Sequence, residues 1–531
     1  MRLVSASRRS GLVVAVVAVV AVVAALSVPA GTASATDDPD PRITAVMDKP
    51  AYETAQWGLL QVDPSSGRVA RSQFPDQSFL PGSVTKLFSI SATWGTLGAD
   101  HRFETPVYAV GGQDGSTLTG DLVLVAQGDL TMGGRTKPDG TVDFTDTDHT
   151  YANDLPGATL TPEDPLAGLD SIADQVRTAG ITRVAGDVVI DDRAFSAVGE
   201  LDPTPTPLII NDNLIDLLTT PTSPGQAADF SWRPQVSTFQ VTSSVRTVAA
   251  DGPTDIQVTT SPDGHQISVS GTIAAGSQPQ LRVAHVEDSS AFGRTALIEA
   301  LGRAGVTVDA PPSGPNPVDQ APGSYASARM VAAYVSPVFA EYAKLILKVS
   351  HNLGANLSLC LMAVHAGSTD CMAGFPVEKA FLQGAGVDTA AVSFSDGRGG
   401  TPDDRVTPRA VTQILEYWLD TPDADRFRTS LPVLGVDGSL GEFCTSCPAQ
   451  GKVFAKTGTV AGPDDLNERL QIGAMTLGGY LEVGDGRYEV FYVGVTGATA
   501  RTIEELVDVL RDVADIGAFM QEDAAASASS G

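Results

Sequence analysis

The amino-acid sequence predicts an α+β protein in which an antiparallel sheet covered by helices is interrupted by a large, mostly β insert of two lobes. Three observations predict it. Strand-like runs followed by helical ones stand at both ends of the chain, as expected for two halves of one sheet domain. The stretch between them, about 104 to 330, is cut by Gly, Pro and Asp at short intervals, the pattern of successive short strands. The length of 531 residues exceeds one typical core, so more than one packed unit is required.

In chain order, residues 1–35 read as a signal peptide: a basic start, an apolar stretch from Gly11 to Leu26, and Ala33-Ser34-Ala35 as the small-x-small cleavage site. Export is expected, to the extracytoplasmic side of a membrane or beyond, with membrane attachment only if this segment stays uncleaved. WGLLQV (57–62) and GRVARS (67–72) are two extended runs joined by the turn-rich Asp63-Pro64-Ser65-Ser66. From Ser83 the pattern becomes helical, with Leu87, Ile90 and Trp94 on one face and Ser83 placed to cap the helix start.

Within 104–330 the strands are DLVLVAQGD, GDVVIDDRAF, DIQVTTSPDGHQISVSG and QLRVAHVED, with one helical piece, SSAFGRTALIEALGRAGV. From 331 helices are expected again, in ARMVAAYVSPVFAEYAKLILKV and then SHNLGANLSLCLMAVHAG. The close is VFAKTGTV, LQIGAMTLGGYLEV and YEVFYVGVTG as strands, the last two meeting at Gly484-Asp485-Gly486. A helix over about 501 to 520 then sets Ile503, Leu506, Val507, Leu510 and Val513 on one face against an acidic opposite face, so it packs on the sheet. This organisation gives a main sheet-and-helix domain of 36–103 and 331–520, an insert at 104–330, and a disordered tail at 521–531.

A formal charge of −29 repels phosphate backbones, so nucleic acid is excluded as a partner. Cys360, Cys371, Cys444 and Cys447 in an exported chain point to disulfides, with three pairings possible. The local pairs, Cys360 with Cys371 and Cys444 with Cys447, close the shortest loops and are expected. A four-cysteine zinc site and a redox-active Cys444-Thr445-Ser446-Cys447 are the alternatives, each lacking its usual spacing or strand-to-helix context. The histidines at 101, 149, 265, 285, 351 and 365 show no metal spacing, and no G-x-S-x-G occurs. No metal or cofactor is expected.

The chemistry is carried by three short segments. Serine attacks a carbonyl only if a base takes its proton, and lysine is a base only when held neutral. Ser83 and Lys86, at i and i+3 on one helix, fall within hydrogen-bonding reach. The chain holds one S-x-x-K, one S-x-N (Ser350-His351-Asn352) and one K-T-G (Lys456-Thr457-Gly458), in that order. Taken singly, Ser83 as a helix cap, Asn352 as a helix-junction cap and Lys456 as a solvated strand lysine are ordinary readings. Taken together, the set is more specific.

This ordered set resembles the serine acyl transferases that include penicillin-binding proteins and serine β-lactamases. The 267-position gap between Ser83 and Ser350 resembles the large-insert, class C penicillin-binding proteins, which are D-alanyl-D-alanine carboxypeptidases and endopeptidases. GDLVLVAQGD, GDVVIDDRAF, INDNLID (210–216), SDGRGGTPDDRVTP (395–408) and LPVLGVDGSLG (431–441) are similar to that family too. His351 departs from the short polar or acidic residue usual in S-x-N, and Arg398 and Gly400 depart from the usual serine and leucine of D-G-S-G-L.

The resemblance implies that Ser83 attacks the penultimate D-alanine carbonyl of a peptidoglycan stem peptide, with Lys86 as base and Ser350 relaying the proton to the leaving nitrogen. Lys456 keeps Lys86 neutral, and Asn352 orients substrate amide and lysine. Thr457 and Thr459 grip the terminal carboxylate, the N–H groups of Ser83 and Thr459 form an oxyanion hole, and Gly458 leaves room for substrate backbone. β-Lactams are the implied inhibitors. The alternatives are a β-lactamase or esterase on the same scaffold, and a non-enzymatic wall-binding or β-lactam-sensing protein. Oligomeric state is not legible.

Overall fold

The computed structural model describes residues 40–197, 201–484 and 486–530. The expected signal segment, with its Ala33-Ser34-Ala35 site, and Asp485 of the expected turn lie outside the described residues.

The turn at Asp63 to Gly67 closes the first hairpin, with Asp63 accepting from Ser65 and Ser66, so Gln56–Asp63 and Arg68–Gln73 pair antiparallel. The far end of the chain supplies the remaining long strands, giving an antiparallel sheet in the order Val453–Asp464, Arg469–Gly484, Arg487–Thr496, Gln56–Asp63, Arg68–Gln73. The short Ala498–Ala500 pairs on Arg469–Gly484. The strand Arg487–Thr496 is buried from Glu489 to Val495, as a central strand covered on both faces must be. One face lies under Ile503–Ser530, the other under Lys86–Leu97 and Pro408–Leu419.

The helix Lys86–Leu97 is the spine of the helical layer: Lys86 through Trp94 are all buried. A helix with this many hydroxyls is buried at low cost because Ser91, Thr93 and Thr96 donate to the carbonyls of Leu87, Ser89 and Ala92, four residues back. Around it pack Phe339–Lys348, Asn352–His365 and Gly374–Gly384. Cys360 and Cys371 are bonded across the start of the last of these, and Cys444 is bonded to Cys447. Both are the expected local pairs.

Between the two halves lie, among the described residues, four further sheets. One runs Arg329–Val338, Arg102–Val110, Asp121–Val125, Val188–Asp191, and another Asp229–Arg233, Leu214–Thr220, Gln280–His285.

Three expectations fail. Residues 331–338 are strand rather than helix: Arg329–Val338 pairs antiparallel with Arg102–Val110, and Pro337 and the β-branched Val331, Val335 and Val338 suit an extended chain better than a helix interior. The insert carries a second long helix, Ala167–Thr178, whose Leu169, Ile172, Ala173 and Val176 are buried at i, i+3, i+4, i+7. The tail is not disordered: the last helix runs Ile503–Ser530. Alanine keeps it helical, and it is tied down by Gln521 to the Glu482 carbonyl and by Glu522 and Asp523 to Arg42 and Arg71. No helix among the described residues is long and apolar enough to cross a membrane.

Candidate active site

Ser83 sits in a 3-10 turn, Gly82–Thr85, that runs directly into the helix Lys86–Leu97. It does not cap that helix, because its hydroxyl is taken by Lys86, whose Nζ lies 2.7 Å from Ser83 Oγ. Gly82 has a positive φ of 52°, and the turn is pressed onto the strand Val453–Asp464. A Cβ on Gly458 would fall 2.3 Å from the Pro81 carbonyl oxygen and 3.0 Å from Ser83 N. The glycine of K-T-G therefore lets the strand touch the serine turn; the space its side chain would fill holds protein atoms, not room for substrate as expected. Thr476 Oγ1 donates to Pro81 O at 2.6 Å and fixes the same contact from the neighbouring strand.

The second segment enters from the helix junction. Phe339–Lys348 ends, Ser350 takes a left-handed φ of 61°, and Asn352–His365 begins. This reversal brings Asn352 Oδ1 to 2.8 Å and Ser350 Oγ to 3.4 Å from Lys86 Nζ. A fourth contact comes from the carbonyl of Arg398, at 3.2 Å. The loop that offers it is held by Ser89 Oγ on the Gly397 carbonyl, by Gly397 N–H on Asn356 Oδ1, and by Asp396 accepting from Arg398 N and Gly399 N.

When charged, Nζ donates to Ser83 Oγ, Asn352 Oδ1 and Arg398 O; once uncharged, with two hydrogens and one lone pair, it can keep the last two partners and turn the lone pair to the Ser83 hydroxyl. Electrostatics favour the uncharged form. Burial pushes Lys86 well below the ordinary lysine range, and the charges of Lys456 and Arg398 add to the shift while Asp396 opposes it. Lys456 is itself fully buried, which lowers it to about 7, and its Nζ donates to the Thr457 carbonyl. Lys456 thus acts on Lys86 through its charge, not through a hydrogen bond.

Thr457 Oγ1 lies 2.8 Å from Ser439 Oγ, and Thr459 Oγ1 donates to Met475 Sδ at 3.3 Å. His351 is turned away from the cleft: its Nδ1 accepts from Gly354 N–H as the cap of Asn352–His365, and its Nε2 faces Asp212.

Ser83, Lys86, Ser350, Asn352, Lys456, Thr457, Gly458 and Thr459 thus come from three distant segments to one place. Sequence reasoning missed Arg398 O, because a backbone carbonyl leaves no residue signature. It also missed Ser439, whose only signal is its position inside the LPVLGVDGSLG stretch.

Residues 41–512 match the D-Ala-D-Ala carboxypeptidase 3 (S13) family. The chain is 27% identical over 451 residues to a D-alanyl-D-alanine carboxypeptidase from an Actinomadura species, an alignment covering 80% of this chain and 77% of that one. It is 21% identical over 405 residues to the D-alanyl-D-alanine carboxypeptidase DacB of Haemophilus influenzae, covering 73% and 76%. The crystal structure of penicillin binding protein 4 (dacB) from the same organism superposes with a TM-score of 0.65 at 20% identity, over 89% of this chain and 98% of that one. The convergence of S-x-x-K, S-x-N and K-T-G on one site, and a family match that spans nearly all the described residues, lead to one statement: the chain belongs to the D-Ala-D-Ala carboxypeptidase 3 (S13) family.

Proposed function

We propose that this chain removes the terminal D-alanine from peptidoglycan stem peptides through an acyl-enzyme on Ser83, with endopeptidase cleavage of related cross-links as a second use of the same site. Ser83 Oγ attacks the carbonyl of the penultimate D-alanine while its proton passes to Lys86 Nζ. The Oγ–C bond forms, the C–N bond breaks, and the proton returns through Ser350 Oγ to the leaving nitrogen. Water then cleaves the ester, with Lys86 again the base. The N–H groups of Ser83 and Thr459 serve as oxyanion donors, the preorganised kind worth about 3 to 4 kcal/mol each in acyl transfer. Thr457, Thr459 and Lys456, with Ser439 beside them, hold the terminal carboxylate, and Asn352 orients the substrate amide. β-Lactams mimic this acyl donor and stop at the ester.

The reading is carried by the 2.7 Å approach of Ser83 Oγ to the Nζ of a fully buried lysine that Asn352 Oδ1 and Arg398 O also hold. A β-lactamase on this scaffold would differ in hydrolysing its acyl-enzyme rapidly, which turnover of a chromogenic cephalosporin would reveal. We place the catalytic part in 36–103 and 331–520 with 104–330 as the insert, and the enzyme outside the cytoplasmic membrane by virtue of its leader. The test is D-alanine release from a stem pentapeptide. It should require Ser83 and vanish in Ser83→Ala; release undiminished in that variant, or rapid turnover of a chromogenic cephalosporin without peptide cleavage, would overturn the reading.

A further inference from the structure

Behind the S-x-N turn lies a buried polar cluster that the reaction outlined above does not use. Arg135 makes a two-pronged pair with Asp148, at 2.6 and 3.0 Å, and reaches Asp212 Oδ2 at 2.7 Å. His149 bridges two carboxylates, Nδ1 to Asp216 Oδ1 at 2.6 Å and Nε2 to Asp212 Oδ2 at 2.7 Å. Arg233 closes the set on Asp216 Oδ2 at 3.1 Å. Three cations thus balance three carboxylates if His149 is charged. Although burial works against that charge, the neighbouring Asp216 and Asp148 push His149 up to about 10.

The cluster is costly to build. Asn211, Asp212 and Asn213 all have positive φ, between 51° and 56°, a conformation that asparagine and aspartate tolerate best among side-chain-bearing residues. It is held by side chains: Asn211 Nδ2 donates to the Leu214 carbonyl at 2.8 Å and Asn213 Nδ2 to Thr206 Oγ1 at 2.9 Å. Local strain of this kind persists only where its surroundings fix it. Its product is one aimed group: the free oxygen of Asp212, Oδ1, lies 2.9 Å from His351 Nε2. Because His351 Nδ1 accepts from Gly354 N–H, the ring proton sits on Nε2 and points at Asp212. From the same side, the Tyr151 hydroxyl donates to the Ser350 carbonyl. Ser350, left-handed between these two anchors, is the residue that carries a hydroxyl to within 3.4 Å of Lys86.

We propose that Asp212 is a positioning residue for the proton relay: through His351, and with Tyr151, it fixes the left-handed turn that holds Ser350 Oγ beside Lys86. The insert is thereby part of the catalytic apparatus without touching substrate. This rests on the reading above that Ser350 relays the proton, and the experiment separates the two.

The measurement is the acylation of the full chain by a chromogenic cephalosporin, resolved into a saturating first-order constant and a half-saturating concentration. Wild type must acylate at Ser83, or the functional reading itself fails. His351→Asn keeps a residue able to cap the helix but is too short to reach Asp212. It should lower the first-order constant about tenfold or more, the scale on which catalytic groups misplaced by a fraction of an ångström lose rate, with the half-saturating concentration little changed. Tyr151→Phe, which removes one oxygen, should shift the same constant in the same direction. In the Asp212→Asn, His351→Asn double variant the losses should not multiply, since both break one contact. A first-order constant within twofold of wild type in both His351→Asn and Tyr151→Phe, a loss confined to binding, or losses that multiply would overturn the proposal. If Asp212→Asn does not fold, the other two variants decide.

Discussion

Replacing Asn352 by aspartate exchanges one nitrogen for an oxygen and places a negative charge 2.8 Å from Lys86 Nζ. Lys86 is fully buried and held below the usual lysine range by that burial and by Lys456. A new carboxylate opposes both effects by stabilising the ammonium. At 2.8 Å and an effective dielectric of ~20, the pair attraction is about 6 kcal/mol. Solvent at the half-buried residue 352 and the aspartate's own titration take part of this. Half of it still shifts the ammonium-to-amine balance of Lys86 by about a hundredfold towards the ammonium, since about 1.4 kcal/mol is a factor of ten. The assay is the pH profile of the acylation constant: in Asn352→Asp its acidic limb should move to higher pH, with rate partly recovered in alkaline buffer. Asn352→Ala, which removes the acceptor without adding charge, should lower the rate without moving the limb upward. An Asn352→Asp profile that overlays wild type would refute the assignment of Lys86 as the base.

Three further outcomes follow from the geometry. Gly458→Ala puts a Cβ 2.3 Å from the Pro81 carbonyl oxygen, so it should displace the serine turn, cost about 1 to 3 kcal/mol in denaturant unfolding, and slow acylation in proportion more than it weakens stability. Glu378 is buried with both carboxylate oxygens unpartnered, and burial, with Asp404 and Asp396 nearby, raises it to about 8. Its folded state therefore holds the proton more tightly than the unfolded chain, and stability should fall as pH rises from about 4.5 to about 8; Glu378→Gln should unfold later than wild type at pH 9, and thermal melts across that range check the sign. Removing the Cys360–Cys371 bond, which closes an 11-residue separation, should cost about 3 kcal/mol by loop entropy, read as a lower denaturant midpoint with the acylation constant at 25 °C unchanged.

The parts legible in the sequence were those whose information is local or lies in ordered motifs. The hairpin at Asp63 to Gly67 is written in its turn residues, the two disulfides in the spacing of their cysteines, and the convergence of Ser83, Lys86, Ser350 and Asn352 in the order of three short motifs. What was illegible depends on partners far away in the chain. Residues 331–338 carry enough alanine to suggest a helix, and pairing with Arg102–Val110 overrides that preference. The last turns of the closing helix look like a polar tail until Arg42 and Arg71, more than 450 positions earlier, are placed beside them. The Ala167–Thr178 helix is a different case: the apolar spacing of Leu169, Ile172, Ala173 and Val176 is local and legible, and it was missed. His351 caps the helix that follows it, but its other partner, Asp212, is 139 positions away, and no spacing rule connects them.

The central claim, that a neutral Lys86 activates Ser83 as nucleophile, is tested most directly by intact-mass analysis of the protein after penicillin treatment, followed by peptide mapping. One acyl group per chain is predicted, on the peptide carrying Ser83, absent from Ser83→Ala and formed far more slowly in Lys86→Ala. No adduct on the wild-type chain, or an adduct that survives Ser83→Ala, would contradict the account.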